Sequence, residues 1–128
     1  MAEFAITVGV LLPLLVGIMA FSQAMSAYHF VASAARQASR YAIVRGASCT
    51  GWAASCPASA GDIQTYVRSI TPPGIDSNNL TVTTTWLPDN SPGSNVKVTV
   101  DYNFNLDIPL VPAQVMKLES TSQLPISQ

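Results

Sequence analysis

The sequence predicts an α+β protein: a long apolar N-terminal helix, then a small disulfide-containing head with a short helix and an antiparallel sheet of about three strands. Three observations predict it. No Asp, Glu, Lys or Arg lies between Glu3 and Arg36; apolar and polar residues alternate over 95–106; and a turn-rich segment separates that stretch from a second alternating one. With 128 residues the chain has room for one compact domain at most, because part of its length goes to a segment too apolar for a soluble core.

Residues 4–21 are apolar apart from Thr7. About 20 helical residues at about 1.5 Å each span a hydrocarbon core of about 30 Å, so the run reads as a membrane helix. A cleavable signal peptide is the rival reading. Against it, no Lys or Arg precedes the run and helical sequence continues well beyond it; a basic leader, if one is made, is expected to have been removed. The helical pattern extends over 3–45, about 65 Å. Pro13 removes one intrahelical hydrogen bond, with Gly9 and Gly17 on either side, which predicts a kink or a locally melted turn. Further along, Ala20, Ala24, Ala27, Val31, Ala34, Ala38 and Ala42 recur at spacings of three and four and form one stripe. Small side chains there permit the close approach by which helices associate in lipid. The same stripe also suits packing on the chain's own head, and Ala is a good helix former anywhere.

After Gly46 the composition turns small and polar. Asp62 reads as the N-cap of a short helix over 62–70, with Ile63, Tyr66, Val67 and Ile70 on one face and Pro72, Pro73 and Gly74 as its stop. Two strands follow, 80–87 and 95–106, the second placing Val96, Val98, Val100, Tyr102, Phe104 and Leu106 on one face. Residues 88–94 supply turn chemistry, so the pair is expected to be a hairpin. A third strand over 114–124 completes the sheet, and the two helices are the available covers for its apolar face.

A net charge of −1 with only 10% charged residues leaves no basic surface for phosphates and no acidic run for cations, which argues against nucleic acid as a partner. Cys49 and Cys56, an even count around a short loop, fit a disulfide in an oxidising compartment. Closing that loop contributes about 2.5 kcal/mol by the chain-entropy argument. His29 on the long helix and two thiols do not make a metal site, and His29 reads as a packed or interfacial residue. Trp52, Trp86, Tyr28 and Tyr41 read as core or subunit-contact residues. No phosphate loop, nucleophile elbow or paired-carboxylate cleft can be assembled, so no catalytic residue, cofactor or small-molecule substrate is expected.

Four stretches resemble the TadE-like family, pseudopilins or minor pilins of the tight-adherence branch of type IV pilus systems. Glu3-Phe4-Ala5, then Leu11 to Leu15 around Pro13, then Gly17-Ile18, look like the family's opening. Residues 34–42, Ala-Ala-Arg-Gln-Ala-Ser-Arg-Tyr-Ala, look like its Ala-Ala-Arg-x-x-Ala-Arg-Tyr-Ala signature. The short helix at 62–70 and the alternating strand followed by Pro109 and Pro112 fall where the family has similar features. The resemblance implies a precursor cut by a prepilin-type peptidase in the bacterial inner membrane. The product is then either a subunit of an extracellular filament, contacting itself and other pilus subunits, or a component retained in the membrane. On that reading 1–45 is a transmembrane or filament-core helix and 46–128 an extracytoplasmic head. One departure stands out: the family's acidic residue usually lies fifth after the cut, whereas Glu3 is third here.

An unpaired carboxylate is costly in lipid, and the resemblance implies that Glu3 meets the N-terminal amine of an adjacent subunit; the bland reading puts it at the aqueous interface. Phe4, Pro13, Gly17 and the small-residue stripe are the expected helix-packing set. Arg36 and Arg40 lie one turn apart, where the membrane should end, beside Tyr41. They are expected either to contact acidic groups, Asp101 or Asp107 being candidates, or to form a solvated face. The positive-inside rule would put these arginines in the cytoplasm, whereas the cysteines and the resemblance put the head outside.

Overall fold

The computed structural model describes residues 2–51, 55–106 and 112–127. Helix α1 (Ala2–Ile43) is followed by α2 (Ala60–Ser69), a 3-10 turn (Ser77–Asn79) and strands β1 (Leu80–Leu87), β2 (Asn95–Leu106) and β3 (Gln114–Pro125). The strands form one antiparallel sheet in the order β1-β2-β3. The expected α+β fold is present, with its three strands and the Cys49–Cys56 disulfide.

Register explains which face is buried. Rows such as Leu80, Tyr102 and Leu118, or Val82, Val100 and Ser120, point to one side because side chains alternate along each strand. That side meets Val31, Ala34, Ala35 and Ala38 of α1 and Ile63 and Val67 of α2 in a single apolar core. The β3 contribution is small and partly polar, Ser120 and Ser122, which complements an alanine-rich helix that must come close. Ser39 is wholly buried there, and its hydroxyl lies 2.8 Å from that of Ser122 while donating to the Arg36 carbonyl. A buried hydroxyl without a partner costs about 1–3 kcal/mol, so this pair favours one seating of α1 on the sheet over shifted ones.

α1 runs as one helix across Pro13, so of the two outcomes expected there the melted turn does not form: the missing N–H removes one donor and the ladder resumes. One expectation is corrected. The N-cap of α2 is Ser59 rather than Asp62. Ser59 Oγ accepts from the Asp62 amide at 3.2 Å, and Asp62 Oδ2 accepts from the Ser59 amide at 2.9 Å and its hydroxyl at 2.6 Å, a capping box. These bonds from Ser59 hold the Asp62 carboxyl below the usual carboxylate range. Its folded-state value being lowered, the contribution of Asp62 to stability is complete above the ordinary carboxyl pKa and lost as pH falls through the lowered one. Ser59→Ala is expected to cost about 1 kcal/mol at neutral pH and to reduce that acid-side loss, measured by thermal melts across a pH series. Asp89, held low by Ser94 and Ser91, keeps its own share of the acid dependence in that variant.

The far end of α1 is bound by three segments. The Ile43 carbonyl accepts from the Ser127 amide at 3.1 Å and its hydroxyl at 3.0 Å. Ala47 N–H donates to Asn90 of the hairpin loop at 2.8 Å, and Ala58 N–H, just after the disulfide, donates to the Arg45 carbonyl at 3.0 Å. Ile126 is buried and tied in both directions to Ser94 and Gly93. Gly93 sits at φ +88°, a left-handed position that a side chain would strain. Trp52 and Asp107 lie outside the described residues.

Candidate functional site

α1 has two environments. From Ala27 onward one face is sealed against the sheet, while the large apolar side chains before it face outward on all sides. Phe4 is 75% exposed, Ile6 69% and Phe21 68%, and none of the most apolar 18-residue window, of mean hydropathy 2.5, is buried. Burying a side chain of this kind contributes about 1.5–3 kcal/mol, and monomeric proteins rarely leave such a contiguous surface in water. By length and composition α1 can cross a membrane.

The stripe of small residues divides at the same point. Ala27, Val31, Ala34, Ala38 and Ala42 are buried against the chain's own head, so the close approach expected along the stripe is made there by the sheet and not by a second helix. Gly9, Pro13, Gly17, Ala20 and Ala24 prolong the same face toward the N-terminus at the same spacing. A side-chain carbon added at Gly9 or Gly17 would meet nothing within 4 Å. This part of the stripe is open.

Glu3 lies exposed in the first turn, where a carboxylate is favoured by the helix dipole, and its carbonyl accepts from Thr7 Oγ1 at 2.8 Å. Arg36 and Arg40 are exposed, and among the described residues neither is ion-paired. Asp101 is engaged by Lys117, Nζ to Oδ1 3.2 Å, on the outward face of the sheet, and does not pair with the arginines within the described residues. That carboxylate and Glu119 raise the Lys117 pKa. Tyr41 has a head contact within the chain: its ring stacks on Tyr66 of α2 at 4.4 Å, with the Arg45 guanidinium 3.8 Å from its centre. Among the described residues no group of His, Cys, Asp and Glu is placed to hold a metal ion.

An apolar, outward-facing first half joined to a second half seated on a β-rich head is an anchoring or assembling surface rather than a reaction centre. The model of the TadE-like protein family matches residues 1–40. This TadE-like segment contains Glu3, the whole apolar run and Arg36, and ends inside the part of α1 that packs on the head. The match covers 40 of the chain's 128 residues. No curated protein and no solved structure matches the chain.

The sequence missed the Ser39–Ser122 pair and the Ser127 clasp on Ile43. Both join residues far apart in the chain through hydroxyls that carry no local pattern.

Proposed function

We propose that the chain is a structural subunit of a Tad-type pilus filament, held in the inner membrane before assembly and packed through the first half of α1 afterwards. The observation that carries this reading is the open half of the helix, apolar on every side and with its small-residue face unfilled. In lipid such a helix is stable alone; in a filament the same face admits neighbouring helices closely enough for dispersion contacts to hold them. Glu3 then meets the terminal amine of the adjacent subunit, cancelling two charges that would be costly in an apolar core and fixing the axial step. A prepilin-type peptidase makes the mature end, and the head stays outside the membrane as a unit of its own.

A second reading, a membrane-anchored pilus component that does not polymerise, is favoured by a specific observation. Five of the seven residues first read as an assembly stripe are already used inside the subunit. Glu3→Gln separates the two. Loss of this chain from sheared cell-surface fibres, with its membrane level unchanged, is the expected result; fibres lacking the chain in the unaltered strain would establish the non-polymerising role.

A further inference from the structure

α1 leaves the head at a defined height. Gln23 and Ala27 form one wall of a cleft of about 310 Å³ whose other walls include Pro72, Pro73, Ile75 and Phe104. The apolar run stops at Phe21, two residues before Gln23, and its span of about 27 Å matches a hydrocarbon core. This end of the head therefore stands where the helix would emerge from lipid.

Among the described residues the head's side of the rim at that height is mostly apolar and partly exposed. Tyr102 and Leu118, one row further up the sheet, are buried. In the next row Met116 lies opposite Phe104 on the helix-facing side and keeps 46% of its surface exposed, and its neighbour Val115 keeps 68%. Pro72 and Pro73 are exposed as well. Lys117, the next residue of β3, is turned to the outward face and held by Asp101 and Glu119. Among the described residues the exposed surface of α1 thus continues onto the underside of the head through Met116 and the Pro72-Pro73 turn, with the exposed Asp76 just beyond Ile75.

We propose that this rim docks on the lipid of the bilayer that α1 crosses, with Met116, Phe104 and the Pro72-Pro73 turn entering the headgroup layer. The inference rests on the membrane reading of α1 and adds a second point of lipid contact. Two contacts on one rigid body fix both the depth of the helix and the orientation of the head, so the subunit waits in the membrane in one pose. The rim also supplies contact area that must be given up when the subunit leaves the bilayer.

The test uses the full chain at one copy per lipid nanodisc, which removes any second copy as the occupant. Methionine and isoleucine methyl groups are labelled, and the lipid carries a paramagnetic headgroup. The methyl signals of Met19, Met25 and Met116 are expected to be lost, while that of Ile126, at the other end of the head, persists. Retention of Met116 with loss of Met19 would overturn the docking of the rim and leave the membrane helix intact. Retention of both would overturn the membrane reading itself, and the inference with it.

Discussion

A chain that begins at Ser22 is expected to be monomeric and soluble without detergent, and to unfold in one cooperative thermal transition. Every residue through which α1 enters the core, from Ala27 to Ala42, is retained in it. What is removed is the exposed run, including ten large apolar side chains between Phe4 and Phe21. Their transfer out of water is worth on the order of 10–20 kcal/mol, as much as a whole domain's stability of about 5–15 kcal/mol or more. On this expectation the two halves of α1 are separable, one serving insertion and the other folding. Sedimentation equilibrium and a circular-dichroism melt read the outcome. A shortened chain that aggregates, or an intact chain that is monodisperse in plain buffer, would contradict the division.

Val31→Asp, placed in that shortened chain, is expected to lower stability by about 3–5 kcal/mol, the cost of an uncompensated charge in a closed core. Val31 has no exposed surface, and its surroundings are the Ala34, Ala35 and Ala38 face and the valines of β2. Chemical denaturation gives the number. A substitution without effect on the isolated head would return Val31 to the role its spacing first suggested, contact with a neighbouring helix. The two roles predict different results in a monomer, whereas the equally buried Val98 has no helix-contact role to separate from its place in the core.

The elements themselves were legible from local chemistry. Strand β2 shows itself because an aliphatic or aromatic residue falls at every second position from Val96 to Phe104, and both hairpin strands have the bounds read from the sequence. β3 also lies where expected, although its helix-facing side is Met116, Leu118, Ser120, Ser122 and Leu124, of which only Leu118 is fully buried, too weak an alternation to show which side faces in. Asp62 was mistaken for a cap because capping boxes place a cap-like residue at both ends of one motif, and Ser59 is the less conspicuous of the two. The small-residue stripe was visible, but its partner was not. Small residues announce a close approach without naming what approaches, and the sheet that meets them begins only at Leu80, 38 positions after Ala42. Arg36 and Arg40 illustrate the same limit: Asp101 turns to the outward face of the sheet, away from α1, where Lys117 meets it across the β2–β3 register.

The clasp at the far end of α1 decides how the head bears traction. β2 runs opposite to α1 while β1 and β3 run with it, so a pull on the exposed end of the helix acts along the strands and not across them. Ile43, gripped by Ser127, and Ala47, gripped by Asn90, are the last points through which such a load passes. To draw the helix free, the whole buried stripe must slide at once over the valines and serines beneath it, together with the Ser39–Ser122 bond. Shear of this kind breaks many contacts together, whereas peeling would break them singly, so the seating of α1 on the sheet is expected to resist a pull along the helix more than one across it.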